Sequence, residues 1–197
     1  GGTAATVTDA NVVLGYLDAS AFMGGARPLD AAAAEAAVDR VAASLGLSRI
    51  EAAAGIYRMI LPRQIAVMDL AALGRFALLP EDDLNLAALL KSPLVGLDED
   101  ALFRLASGRG RRSLWSTLTR RRAEFSEAHA FLAGRLARAD FVPPFAFFAE
   151  TLGLLGGRRR LLDRLGPDAA DPIDEFLSLT LAHERAHAPS LQGFLHW

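Results

Sequence analysis

The chain has 197 residues, with 21 basic and 23 acidic side chains and no cysteine. A formal net charge of −2 argues against a uniformly basic nucleic-acid-binding protein, and the lack of cysteine excludes disulfides and thiolate metal sites. The apolar fraction of 52% is inflated by alanine, which favours helices, and no apolar segment is long enough to cross a membrane. These features predict a helical protein with no membrane partner, located in the reducing cytoplasm.

The first stretch opens with the only candidate strand, a short extended segment over residues 5–7. Thr8 is a suitable N-cap, which predicts a helix over residues 9–17. Gly24 and Gly25 then predict a loop.

Two further helices are predicted before residue 62. Asp30 is expected to cap an alanine-rich helix that ends at Gly46, a residue suited to the left-handed conformation beyond a helix end. Ser48 and Glu51 have the spacing of a capping box, so they predict the start of the next helix. Because the residue before a proline is disfavoured in a helix, that helix is expected to end before Pro62.

After residue 62 the apolar residues keep a helical spacing, and loops and caps divide the pattern. Helices are predicted over residues 65–76, after Glu81–Asp83, and after Asp98–Asp100. Gly108 and Gly110 predict a loop, which is followed by one long helix over residues 113–138.

The last part is predicted to hold a phenylalanine-rich helix around residues 145–148, a helix from Asp171–Pro172 to His187, and a short helix capped by Ser190. The fold class predicted from the whole pattern is all-α. A small separate helical segment over residues 1–60 precedes a helical bundle over residues 63–197.

A basic stretch is the main candidate for a binding surface. Residues 101–123 contain seven arginines and no acid. Arginine binds phosphates well through bidentate geometry, so this stretch is a candidate DNA-binding surface. The alternative is a solvated helix face with a flexible basic loop. The DNA-binding candidates are Arg109, Arg111, Arg112, Arg120, Arg121 and Arg122.

The phenylalanines at 141, 145, 147 and 148 are compatible with base stacking, but their density on an apolar helix favours a core. Trp115 and Trp197 are expected to fill packing gaps.

Residues 183–187 read HERAH, the zinc-peptidase pattern of two histidines one helical turn apart with a glutamate between them. Pro189 ends the helix almost at once, and no glutamate follows to serve as a distant ligand. A solvated or capping pair, His183 and His187, is the favoured interpretation, so the sequence assigns no metal ligand and no catalytic residue.

Two segments match the sequence of a phosphate-binding loop in part. Lys91 and Ser92 match the last two positions of such a loop, but Asn85 and Leu90 stand where glycines are required. Residues 108–113 lack the third glycine and the preceding strand of a dinucleotide loop. We therefore expect no ATP binding through either segment.

Residues 1–59 resemble the hydantoinase A/oxoprolinase family. The resemblance lies in Gly1–Thr3, in TVTDANVVLGYL at residues 6–17, in FMGG at 22–25 and in AGIYR at 54–58. It implies an ATP-dependent enzyme that opens cyclic amides on an actin-like nucleotide-binding fold, with Asp9 as a possible site residue. The glycine-rich phosphate segments that follow in the family are replaced here by residues 60–62.

Residues 64–197 resemble the double-strand break repair helicase AddA, a UvrD-like superfamily-one helicase fused to a nuclease. The matching segments are residues 64–70, 79–84, 90–97, 171–176 and 189–197. The resemblance implies the helical insertion of the second motor domain, with a scaffolding or duplex-contacting role. It also implies DNA and a partner nuclease subunit as partners.

The leading functional prediction is therefore a fragment of an ATP-dependent DNA helicase-nuclease. A fragment of an ATP-dependent hydantoinase or oxoprolinase is the alternative, and a helical interaction domain is a third possibility. ATP and magnesium are expected for either parent, and this chain alone is expected to be inactive. Since the first methionine is Met23, Gly1 is not expected to be a natural translation start.

Overall fold

A computed structural model describes residues 4–21 and 28–197, and it divides the chain into two compact units, Gly1–Pro62 and Arg63–Trp197. The described residues form eleven α-helices and one 3₁₀ turn, with no strand among them. The all-α prediction is confirmed. The predicted loop at Gly24 and Gly25 lies outside the described residues.

The first helix of the first unit, α1, spans Val7–Val13. Its N-cap is Thr6 and not the predicted Thr8, and Val7 is already helical, so the expected strand over residues 5–7 is wrong. A capping box explains the earlier start, because Asp9 accepts hydrogen bonds from the backbone nitrogen and the hydroxyl of Thr6 at 2.8 and 2.7 Å.

Helix α2 spans Ala31–Leu45 and begins and ends as predicted. The side chain of Asp30 accepts a hydrogen bond from the Ala33 nitrogen at 2.9 Å, and Gly46 follows the helix with a φ of 67°. This unit has its own small buried cluster, formed by residues Ala10, Val38, Ala42, Ala52 and Ala53.

Helix α3 spans Arg49–Leu78, which contradicts the predicted end before Pro62. The predicted capping box at its start is confirmed, since Glu51 accepts a hydrogen bond from the Ser48 backbone nitrogen at 2.9 Å. Pro62 lies inside the helix. An interior proline loses the hydrogen bond of its own nitrogen and crowds the carbonyl four residues earlier. The helix nevertheless continues, and the apolar residues Ala66 and Leu70 beyond Pro62 are fully buried.

The second unit continues with eight helices joined by short connections. They are α4 Asp83–Lys91, α5 Glu99–Ala106, α6 Leu114–Arg120, α7 Ser126–Leu136, α8 Pro144–Leu152, α9 Gly157–Leu165, α10 Ala170–Ala186 and α11 Leu191–His196, with a 3₁₀ turn over Pro167–Ala169 before α10. Asp82, Asp98, Ser113 and Ser190 cap α4, α5, α6 and α11 through their side chains. The predicted starts of these helices are confirmed to within one or two residues.

The single long helix predicted over residues 113–138 is wrong. The chain turns between α6 and α7, and Phe125 in that turn is buried in the core. Arg121 ends α6, and its guanidinium lies over the Phe125 ring at 5.3 Å. The apolar spacing continues through the turn, so periodicity alone could not detect the break.

The core of the second unit includes a cluster of aromatic rings. Phe148 is fully buried and makes edge-to-face contacts with Phe147, Phe176 and Phe194, with ring centroids 5.1, 4.8 and 6.0 Å apart. Helix α8, which carries Phe147 and Phe148, packs against α9 and α10. No helix in the described part of the chain is both long and apolar enough to cross a membrane.

Candidate functional sites

The structure divides the six predicted DNA-binding arginines into two groups. Arg109 and Arg121 are held by the fold. The Arg109 guanidinium forms an ion pair with Asp83 and donates a hydrogen bond to the Arg112 carbonyl at 2.6 Å. The Arg121 guanidinium pairs with Glu124 at 2.6 Å and donates to the Arg104 carbonyl at 2.5 Å. Both side chains therefore stabilise the loops that carry their neighbours.

The other four arginines, Arg111, Arg112, Arg120 and Arg122, are exposed and form no side-chain ion pair within the described residues. They lie as two pairs at the two ends of α6, which has seven residues and is therefore about 10 Å long. This arrangement presents four free guanidinium groups to solvent, which can form bidentate hydrogen bonds with phosphates.

Asp83 organises the loop that carries the first pair. Its Oδ1 accepts a hydrogen bond from the Leu114 backbone nitrogen at 2.6 Å, while its Oδ2 holds Arg109. The carboxylate thus satisfies a free N–H in the first turn of α6 and is neutralised by Arg109. Arg111 and Arg112 are exposed to solvent, and the Asp83 carboxylate near them is already neutralised by Arg109.

The two histidines of the zinc-peptidase pattern lie next to each other in the structure. The His183 and His187 rings stack with centroids 4.9 Å apart. His187 is exposed, but His183 is buried, so the expectation of a solvated side chain is wrong for His183. Glu184 is engaged elsewhere, since its Oε1 accepts a hydrogen bond from the Phe145 nitrogen at 2.6 Å. No group of three or more metal-ligating side chains occurs among the described residues.

The two candidate phosphate loops have structural roles. Lys91 pairs with Glu99 on α5, and the buried Ser92 hydroxyl donates to the Leu89 carbonyl at 2.7 Å as α4 ends. Gly108 and Gly110 adopt φ values of 69° and 62° in the predicted loop before α6, where a residue with a Cβ would be strained. The expectation that neither segment binds ATP stays a prediction.

Asp9, the acid implicated by the first resemblance, is part of the capping box of α1. Its Oδ2 accepts hydrogen bonds from the backbone nitrogen and the hydroxyl of Thr6, so the carboxylate fixes the beginning of the helix. Two residues later, Asn11 has a buried side-chain oxygen with no hydrogen-bond partner among the described residues.

A groove that sequence reasoning missed lies in the second unit, between the α4–α5 connection and α9. Its larger part, about 670 Å³, is lined by Arg160 and Arg164 of α9 and by the α4–α5 connection from Lys91 to Glu99. An adjoining part of about 340 Å³ shares Lys91, Pro93 and Arg164 with it and reaches Asp69 of α3.

Two ionisable side chains along this groove have no hydrogen-bond partners among the residues that the structure describes. The Asp69 carboxylate makes no hydrogen bond, its Oδ2 is buried, and burial raises its pKa to about 6. The Arg160 guanidinium lies over the Phe131 ring at 5.5 Å and makes no hydrogen bond, with Nε and Nη2 buried. The sequence does mark Asp69 as unusual, because it is the single acid within an apolar helical run at residues 65–73.

A comparison with protein families gives one match, which covers residues 1–68 and carries the description hydantoinase/oxoprolinase. It supports the resemblance of the first stretch and extends it to residue 68, inside α3 and beyond the predicted boundary at residue 62. No curated protein and no solved structure matches the chain. Nothing in these comparisons supports the resemblance of residues 64–197 to AddA.

Proposed function

We propose that the first unit is a segment of a hydantoinase/oxoprolinase-type enzyme, which uses ATP and magnesium to open cyclic amides. The family match over residues 1–68 is the observation that carries this proposal. The structure adds a physical reason for the sequence pattern. Thr6 and Asp9 of the matched segment together fix the start of α1, so the motif specifies a helix start.

A segment exchange tests this proposal. Residues 4–59 replace the corresponding segment of an active hydantoinase or oxoprolinase, and ATP-dependent ring opening by the hybrid is measured. If the segment is of this family, the hybrid folds and keeps a measurable fraction of the activity of its host. A folded hybrid without ring opening would show that these residues do not serve such an enzyme.

The second unit carries a second candidate function, contact with duplex DNA through the four exposed arginines at the ends of α6. The observation that favours it is that Arg111, Arg112, Arg120 and Arg122 are exposed and form no ion pair with an acid in the part of the chain that the structure describes. As part of a helicase-nuclease such as AddA, with a partner nuclease subunit, this surface would hold the duplex. A cytoplasmic location belongs to the same proposal and agrees with the lack of cysteine.

Duplex binding at several salt concentrations tests the arginine surface. Each phosphate contact contributes about −0.9 to the slope of log affinity against log salt, so four contacts predict a slope near −3.6. The double variant R111Q/R112Q is expected to reduce the slope by about 2, in proportion to two lost contacts. The double variant R63Q/R75Q removes the same charge from α3 of this unit and is expected to leave the slope unchanged. Salt-independent binding, or equal effects of the two variants, would refute the proposal.

A further inference from the structure

The turn that precedes α6 and carries Arg111 is closed by two hydrogen bonds between the same two residues. The Arg112 backbone nitrogen donates to the Arg109 carbonyl at 3.3 Å, and the Arg109 guanidinium donates to the Arg112 carbonyl at 2.6 Å. Gly110 lies inside this turn with a φ of 62°, which a residue with a Cβ rarely adopts. The backbone of residues 109–112 therefore has a defined conformation before any ligand binds.

Asp83, the first residue of α4, holds this turn against the unit. Its Oδ2 forms the ion pair with Arg109, and its Oδ1 accepts a hydrogen bond from the Leu114 nitrogen at 2.6 Å. These two contacts lie on either side of Arg111 and Arg112, the first arginine pair, in the sequence. The Asp83 and Arg109 side chains are only 31% and 29% exposed, so solvent screens their attraction less than that of a surface pair. One carboxylate therefore fixes both ends of the segment that carries the first arginine pair.

We propose that Asp83 and Arg109 are positioning residues for the phosphate contacts of the first arginine pair, an inference that rests on the proposed contact with duplex DNA. Binding has to order the loops at an interface, which lowers affinity, so a loop that is ordered beforehand binds more tightly. The charge of Asp83 acts in the opposite direction, because a carboxylate close to a duplex repels its phosphates. Positioning and net charge therefore predict opposite effects when Asp83 is replaced.

Duplex binding by the D83A variant of the full chain separates the two effects. On net charge alone D83A would bind more tightly, because it removes an acid and releases Arg109. We expect it instead to bind about fivefold more weakly, through the added cost of ordering the turn on binding. The slope of log affinity against log salt should stay unchanged, because the contacts that still form release the same counterions. Glu81 is exposed and lines the same concavity of about 540 Å³, but it forms no hydrogen bond or ion pair among the described residues. E81Q is therefore the matched control and is expected to bind at least as tightly as the native chain.

Two further measurements distinguish positioning from a general loss of structure. R109K keeps the charge, but an ammonium group lacks the planar fork that joins Asp83 to the Arg112 carbonyl, so we expect binding to weaken about threefold. If D83A does not fold, R109K tests the same contact. In the R111Q/R112Q background, D83A is expected to cause no further loss, because the side chains that it positions are absent.

The outcomes separate this proposal from the one on which it rests. Salt-dependent duplex binding by the native chain, together with equal or tighter binding by folded D83A or by R109K, would overturn the positioning role and leave the arginine surface in place. An undiminished effect of D83A in the R111Q/R112Q background would overturn it as well. If the native chain shows no salt-dependent binding, the DNA contact is refuted, and the positioning role with it.

Discussion

The carboxylate of Glu184 on α10 accepts a hydrogen bond from the backbone nitrogen of Phe145 in the first turn of α8, at 2.6 Å. Helix α8 has no capping side chain of its own, because its N-cap is Pro143. A residue distant in sequence therefore satisfies a free N–H at this helix end and joins α10 to α8. The glutamate of the HERAH pattern therefore has a structural partner at the start of α8.

Removal of this distant cap should destabilise the second unit. We expect E184A to lower the free energy of unfolding by about 1–2 kcal/mol, the usual effect of losing a helix cap. Both tryptophans, Trp115 and Trp197, lie in this unit, so urea unfolding followed by tryptophan fluorescence reports on it. E175A removes an exposed acid from the same helix and is the matched control, with an expected effect below about 0.5 kcal/mol. Equal effects of the two variants would refute the capping role.

Two helical glycines should respond in opposite ways to substitution by alanine. A Cβ at Gly157 would lie 2.6 Å from the Thr151 carbonyl oxygen and 3.1 Å from Leu94 Cδ2, whereas a Cβ at Gly134 meets nothing within 4 Å. We expect G157A to destabilise the unit by about 1–3 kcal/mol through overpacking. G134A is expected to stabilise it by up to about 1 kcal/mol, because alanine is the better helix former. Stabilisation by both variants would show that α8 and α9 are not packed as described.

Asp69 should make the stability of the second unit depend on pH. Its pKa is raised from 3.8 to about 6 by burial, so between these values the folded state binds more protons than the unfolded state. The stability that protonated Asp69 provides is therefore lost as pH rises through about 6.

The D69N variant isolates this contribution, since asparagine does not titrate. Asp69 is partly exposed, and after allowance for solvent screening we expect the difference in unfolding free energy between D69N and the native chain to grow by about 1–2 kcal/mol in favour of D69N between about pH 4 and pH 7. Urea unfolding at both pH values measures it. A constant difference would mean that Asp69 titrates normally.

The core role predicted for the phenylalanines is confirmed for Phe147 and Phe148 and wrong for Phe141. Phe148 is fully buried among three other rings, while the Phe141 side chain is 82% exposed. We expect F148A to lower the free energy of unfolding by about 3–5 kcal/mol, and F141A to change it by less than about 0.5 kcal/mol. Thermal unfolding followed by circular dichroism compares them. A small loss in F148A would contradict the described core.

Local chemistry in the sequence was sufficient to predict most helix starts. The caps at Asp30, Ser48 and Ser190 depend only on residues within one turn, so the local sequence predicts them directly. The break between α6 and α7 was missed because burial of Phe125 depends on the surrounding helices. The predicted helix end at Pro62 was wrong because the local rule was given too much weight. A proline disfavours a helical conformation of the residue before it, but α3 continues through this position.

The candidate sites were less predictable than the fold. The density of arginines in this stretch can be read from the sequence. Only the structure shows that Arg109 and Arg121 form ion pairs while their neighbours are exposed. The groove was not visible as a motif, because Asp69, Lys91 and Arg160 come from three distant parts of the sequence. Only folding brings them to one groove.

The most direct test of the account is the ring-opening rate of the segment hybrid, measured with ATP and with the native substrate of the host. The control is the same host carrying residues 83–138 of this chain, a helical segment of comparable length from the second unit. We predict that the hybrid with residues 4–59 retains ATP-dependent ring opening and that the control has none. Loss of activity in both proteins, when both are folded, would contradict the assignment of the first unit to a hydantoinase/oxoprolinase-type enzyme.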